Sequence, residues 1–337
     1  MDHSHPLPHV HPLATVESTH PLASLSSDFT LARTLPLTPL HVRLLNFGCM
    51  IVPAARSLPM RESKKPNYLP AFLIWVVFEA VAVALWLGLG NPFYLFNFSY
   101  IGTCLGVGLI LSTRGWRYAR RFVMFAVGMY MLIYLGFVQG ENMQIEGFWY
   151  YLFLGVFEGA TIHYLVAKIA GPALFGRGWC GYACWTAAFL ELLPWKKSPG
   201  RKPKLGRIRY AVLVASLVFV VAGMAFGLLD ERAMFIAFIV GNIAYYAVGI
   251  ALAALLHDNR AFCKYVCPVS LLMKPAAHVS LMRVTCDHDK CVGCGACLRA
   301  CPMDVDVLDD SRSRRNATEC ILCLECAKAC KKGALRL

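Results

Sequence analysis

The residues of this chain best suited to chemistry are its cysteines, and they fall into two patterns. From Cys291 the sequence reads C-V-G-C-G-A-C-L-R-A-C-P, and from Cys320 it reads C-I-L-C-L-E-C-A-K-A-C-K. Each run is C-x2-C-x2-C-x3-C, the spacing by which two runs share a pair of [4Fe–4S] cubanes. Three cysteines two residues apart let a tight loop fold its thiolates over three irons of one cube. The fourth leaves along a short helix toward the other cube. That assigns Cys291, Cys294, Cys297 and Cys330 to one cluster, and Cys320, Cys323, Cys326 and Cys301 to the second. Gly293 and Gly295 suit a loop whose backbone passes close to inorganic sulfide. Four-thiolate zinc sites are the alternative. Eight cysteines in the doubled pattern, with Pro302 after Cys301, favour cubanes.

The second pattern is C-x3-C, and it occurs twice: Cys180 and Cys184 in G-R-G-W-C-G-Y-A-C-W, Cys263 and Cys267 in C-K-Y-V-C-P. On a helical turn this spacing sets both sulfurs on one face. Four converging thiols suit a further cluster, a metal ion or a dithiol–disulfide couple; four small buried cysteines are the plainer reading. Cys49 and Cys104 read as ordinary apolar residues, and Cys286 as a thiol neighbouring the first cluster rather than a ligand.

These residues need elements to position them, and composition says where. Of 337 residues 58% are hydrophobic and only 16% charged, against about 25% charged in a soluble chain. Six apolar stretches, 70–90, 93–112, 121–139, 147–168, 210–229 and 234–256, each approach the ~20 residues that span a bilayer. Much of the +13 net charge lies in alternate loops: Arg61, Lys64 and Lys65; Arg114, Arg117, Arg120 and Arg121; and the run from Lys168 to Arg209. The positive-inside rule then sets both termini and all cysteine motifs on the cytoplasmic side of a cell inner membrane. Both C-x3-C motifs fall at the cytoplasmic boundary. Trp179, Trp185 and Trp195 suit an interfacial belt, 185–195 a short interfacial helix, and Leu271, Leu272 and Met273 the bilayer surface. Eight committed cysteines imply a reducing compartment, and the loop charge implies no nucleic-acid partner.

The expected fold is therefore a membrane all-α bundle of six transmembrane helices with a C-terminal cytoplasmic two-[4Fe–4S] ferredoxin-like (α+β) domain. Its parts are a disordered extension at 1–59, a membrane domain at 60–268, a linker at 269–285 and the two-cluster domain at 286–337. The extension carries six histidines among prolines, and Met60 reads as an alternative start. Glu79, Glu158 and His163 lie within apolar stretches, where ionisable groups are costly and become candidates for proton handling. A bis-histidine haem between His163 and His257 is a weaker reading than packing.

Two C-x3-C motifs at the ends of membrane helices, followed by a two-cluster ferredoxin, resemble the family of membrane-bound iron–sulfur proteins that includes NapH and NosR. The resemblance covers residues 70–337. It implies a protein relaying electrons between a membrane quinol pool, or a membrane partner, and a soluble redox protein, with Cys180, Cys184, Cys263 and Cys267 as a second functional set. Trp185 replaces the proline usual after Cys184, and Lys331 the one usual after Cys330. The alternatives are a membrane copper-ion reductase that uses the C-x3-C cysteines, and a redox-sensing regulatory membrane protein.

Overall fold

The computed structural model describes residues 67–337 apart from Glu158. The readings made on 1–59, on the basic lead-in after Met60, on Cys49 and on Glu158 lie outside the described residues. Apolar helix α1 (Leu69–Leu89) ends at Gly90, whose left-handed backbone (φ 68°) stops it. Asn91 then caps α2 (Pro92–Thr113), its side-chain oxygen accepting the Phe93 N–H, with Pro92 in the first turn. The two helices form a hairpin. Gly102 and Gly106 both face α1, and a Cβ at Gly102 would overlap the Phe78 side chain. Across the same hairpin, Ser99 donates to Glu79 at 2.6 Å, which gives that carboxylate a local partner.

Helix α3 (Ala119–Met129) runs on as a π-helix to Val138, and α8 (Ile208–Ala225) and α9 (Glu231–Leu256) complete the long elements. Among the described residues five helices are long and apolar enough to cross a membrane. The stretch at 147–168, read as a sixth continuous span, is broken. It consists of α4 (Ile145–Phe153) and α5 (Gly159–His163, continuing as a π-helix to Ala170). Gly155 between them and Gly159 at the start of α5 take positive φ (72° and 39°), conformations that interrupt a continuous α-helix. Apolarity alone could not reveal this break.

The segment leading into α4 is buried rather than looped out. Asn142 donates from its side-chain amide to the Met234 carbonyl at 3.0 Å, and a Cβ at Gly241 would overlap the Gln144 side-chain oxygen. Gly241 lies ten residues into α9, about 15 Å along it, so α4 begins midway along the bundle. Trp149 then donates to Ser216, in the middle of α8, at 3.3 Å.

Short helices follow α5: one turn at Pro172–Phe175, then α6 (Gly178–Tyr182) and α7 (Trp185–Leu190). Beyond α9 come α10 (Ala261–Tyr265) and α11 (Val269–His278). The C-terminal part holds two further five-residue helices, α12 (Ala296–Ala300) and α13 (Glu325–Ala329). A two-residue ribbon closes it, β1 (Thr285–Cys286) antiparallel to β2 (Leu335–Arg336), with Cys286 opposite Leu335. One hydrophobic core runs through Met124, Cys180, Ala187, Cys263, Met273, Cys301, Ile321 and Cys323, so the helical part and the C-terminal part share it.

Candidate functional site

The two C-x3-C motifs are built alike. Cys180 is the third residue of α6 and Cys263 the third of α10, both five residues long; Cys184 and Cys267 each follow two residues past the helix end. An arginine precedes each helix. Arg177 places Nη2 4.0 Å from Cys180 Sγ, and Arg260 places Nη1 3.7 Å from Cys263 Sγ. Both guanidinium groups are about 1% exposed. The shared pattern is Arg-x-aromatic-Cys-x-Tyr-x-Cys, an internal repeat of which the cysteine spacing alone shows only part.

The structure brings the four cysteines together. Cys180, Cys184, Cys263 and Cys267 lie within mutual electrostatic range. Burial first, then Cys180 and Cys263 beside it, pushes the Cys184 thiol up to about 11; burial, Cys263 and Cys180 push Cys267 up to about 12. Three cations face the thiols: Arg177, Arg260 and buried Lys168, whose ammonium lies 4.7 Å over the Trp179 ring. Such a donor set suits an anionic thiolate-bound cluster. Met273, expected at a bilayer surface, is instead fully buried with Sδ 3.6 Å from Cys180 Sγ, and Leu271 is buried beside it. Trp185 likewise lies inside rather than in an interfacial belt, donating to Asn242 at 2.9 Å, and α7 buries Ala187, Ala188 and Leu190. A helix packed between α3 and α9 needs small and apolar residues on its faces, a composition that an interfacial helix shares. His163 packs against Trp179 and His257 against Trp195, so each ring has its own neighbour.

The C-terminal cysteines form two sets. Cys301 gathers with Cys320, Cys323 and Cys326 around an enclosed cavity that all four line with Val284, Met303 and Ile321. Burial and the neighbouring cysteines push Cys326 up to about 12 and Cys323 up to about 11, with Arg120 opposing at Cys323. Four thiols facing one cavity make the donor set of a cubane. Cys297 lies near Cys291 and Cys330 in the other set, where Cys294 is exposed. Cys286 is a buried fifth thiol, hydrogen-bonded to Cys291. The two loops share a backbone shape: Leu322 (φ 51°) and Leu324 (φ 59°) repeat the left-handed turns of Gly293 (φ 68°) and Gly295 (φ 65°). Among the described residues no three His, Cys, Asp or Glu are gathered for a single metal ion.

The loop of the buried set rests directly on the first C-x3-C loop. The Arg177 N–H donates to the Cys320 carbonyl at 3.3 Å, and Tyr182 donates to the Leu322 carbonyl at 3.2 Å. A Cβ at Gly181 would overlap the Ile321 carbonyl. Buried charge locks the contact. Glu319 pairs with Arg177, with Arg209 at 2.9 Å, Arg201 at 3.0 Å and Lys274 at 3.3 Å. Burial works against its charge, and these cations outweigh it, holding its carboxyl well below the usual range. Lys264 binds Asp304 and Asp258, each at 2.7 Å. Glu191 pairs with Arg260 and with Arg120 at 2.7 Å.

Residues 290–335 match the family model of a 4Fe-4S dicluster domain, and residues 163–205 with 244–283 match that of a 4Fe-4S binding domain. The second match encloses both C-x3-C motifs. Among curated relatives, the uncharacterized protein MJ0749 of Methanocaldococcus jannaschii is 30% identical over 212 residues, 59% of this chain and 79% of that protein. YccM of Escherichia coli, named for electron transport, is 25% identical over 51% of this chain and 54% of its own length. The nitrogen fixation protein FixG of Rhizobium meliloti is 26% identical over 48% of this chain and 40% of its own. No solved structure matches. With 79% of MJ0749 covered at 30% identity, and both cysteine regions matching 4Fe-4S models, the chain belongs to the MJ0749 family and is an iron–sulfur electron-transport protein.

Proposed function

We propose that the chain carries electrons through an inner membrane, between a hydroquinone or membrane partner and a soluble redox protein, using three cysteine sets in line. Cys180, Cys184, Cys263 and Cys267 would hold the membrane-side cluster. Cys301, Cys320, Cys323 and Cys326 would hold the middle one, and Cys291, Cys294, Cys297 and Cys330 the outer one. Clusters bound there supply the one-electron states. The observation that carries the reading is the direct seating of the Cys320–Cys323 loop on the Cys180–Cys184 loop through Arg177, Tyr182 and Gly181.

Both ends of the line have suitable surfaces. An apolar groove of about 520 Å³ opens between α2 and α3, lined by Tyr100, Phe122, Phe125, Met129, Tyr130 and Tyr134. Its wall residue Phe125 packs edge-on to Phe189, and Phe189 onto Tyr246, whose hydroxyl feels Cys184. The groove suits an apolar-tailed hydroquinone, which gives up two electrons and two protons. At the other end Cys294 is exposed, Lys290 and Arg299 flank its loop in sequence, and Lys331 and Lys332 follow Cys330 of the same set, basic residues suited to an acidic soluble partner. The basic loops favour a cytoplasmic position for this end, and the motif pair favours kinship with NapH and NosR.

Iron counting tests the proposal. Anaerobically purified protein should hold about twelve iron atoms, falling to about eight in Cys180→Ser; eight in the wild type would remove the membrane-side cluster. A second reading has one observation behind it. The thioether of Met273 beside Cys180 is a soft donor pair suited to Cu(I), and copper in place of the extra iron would favour a copper-ion reductase.

A further inference from the structure

The broken segment brings a carboxyl into the interior that the electron route leaves unused. Glu146 lies in the first turn of α4, which begins midway along α9. The residue is partly buried, yet its Oε2 is sealed from solvent and has no hydrogen-bond partner. Other sealed, unpartnered atoms lie along the same inner elements: Gln144 Nε2, Thr161 Oγ1, His163 Nε2 and the hydroxyls of Tyr245 and Tyr246. Native interiors seldom leave such groups unpaired, and ordered water is the usual partner.

These groups lead to the quartet. Tyr164 on α5 and Tyr245 on α9 each stand within electrostatic range of both the Glu146 carboxyl and Cys267. Tyr164 stacks on Phe148 of α4 at 4.8 Å, which packs it against the helix that carries Glu146. Arg209 of α8 and Lys274 of α11 both bind Glu319, and Asp230 and Glu231 at the start of α9 act on Tyr150, further along α4. Lys168 on α5 faces the cysteines. Among the described residues, what acts on the Glu146 carboxyl is its burial, opposed by its own backbone N–H, with no cation beside it.

We propose that Glu146 exchanges a proton with the electron state of the quartet, taking one up as an electron arrives and releasing it as the electron leaves. A carboxyl with no cation beside it responds to the nearest change of charge, and that change is the one negative charge the quartet gains on reduction. The balance is one electron in and one proton onto Glu146 Oε, then one electron out to the Cys301–Cys326 set and the proton returned. Tyr245 and Tyr164, each within electrostatic range of both, link Glu146 to the quartet side. The donor is the hydroquinone class, whose oxidation yields electrons and protons together. This inference rests on the reading of the quartet as a redox centre.

The test is the reduction potential of the third centre, followed by electron paramagnetic resonance at several pH values in intact protein. The wild type should shift tenfold in its one-electron equilibrium per pH unit, which is 59 mV, over the range where Glu146 titrates. Glu146→Gln should flatten that dependence, whereas Glu79→Gln, whose carboxylate is held by Ser99, should leave it intact. Reduced-minus-oxidised infrared spectra of the wild type should also show a carboxylic acid band, lost in Glu146→Gln; this serves if the potential of the variant is hard to fix. A third centre whose wild-type potential ignores pH overturns this inference alone. A slope that persists in Glu146→Gln also overturns it. Absence of a third centre overturns the reading beneath it as well.

Discussion

Arg177 joins the first C-x3-C loop to the dicluster domain: its backbone N–H donates to the Cys320 carbonyl at 3.3 Å, and its guanidinium pairs with the buried carboxylate of Glu319. The residue before the first C-x3-C helix is thereby tied to the residue before the second dicluster loop. Burying a carboxylate among four cations is costly unless all remain paired, so the contact has one arrangement.

Removing Glu319 should therefore undo the junction. Glu319→Ala leaves Arg177 and Arg209 as buried unpaired cations, a loss of about 3–5 kcal/mol. Limited proteolysis should release a fragment from near residue 280 onward, while the long helices stay inserted. An unchanged digestion pattern would show that the apolar core alone holds the two parts.

Gly181 tests the same junction sterically. Gly181→Val must push the Ile321 carbonyl away. Electron delivery into the dicluster should slow at least tenfold, with its iron content unchanged.

Acid should loosen the second charge cluster first. Burial raises the Glu191 carboxyl, but Arg260 and Arg120 outweigh it and hold it at about 2, below its ordinary 4.5. A group depressed on folding contributes stability that is complete above its unfolded value and lost as pH falls through its folded one. The thermal midpoint of the wild type should fall between pH 4.5 and 2 more steeply than that of Glu191→Gln. Parallel curves would remove Glu191 as the titrating group.

Cluster-free protein should show an order of thiol reactivity. Backbone N–H groups, that of Ala334 foremost at 3.3 Å, hold the Cys330 thiol below its ordinary value, whereas Cys184 and Cys267 are held at about 11 and 12. The thiolate is the reactive form. At pH 8 alkylation should label Cys330 well before Cys184 and Cys267, with mass mapping as the readout; equal rates would contradict the raised thiols of that pair.

The cysteine spacing made the dicluster legible, because ligand geometry constrains sequence directly, and five apolar stretches appear as helices of nearly the expected bounds. The sixth does not form one helix for a physical reason: a broken segment packed inside the bundle is as apolar as a span, and only Gly155 and Gly159 mark the break. Leu322 and Leu324 hid their left-handed backbone, which became visible only when the second loop was laid over Gly293 and Gly295. The Glu319 lock was illegible, since its partners Arg177, Arg201, Arg209 and Lys274 are scattered in sequence and read there as loop charge.

The most direct test of the account is hydroquinone-dependent reduction of the dicluster in membranes carrying Cys263→Ser. The account predicts that the dicluster retains its eight iron atoms, accepts electrons from dithionite as the wild type does, and receives none from hydroquinone. Wild-type rates of hydroquinone-driven reduction in that variant would contradict it, because electrons would then reach Cys320–Cys326 without the quartet.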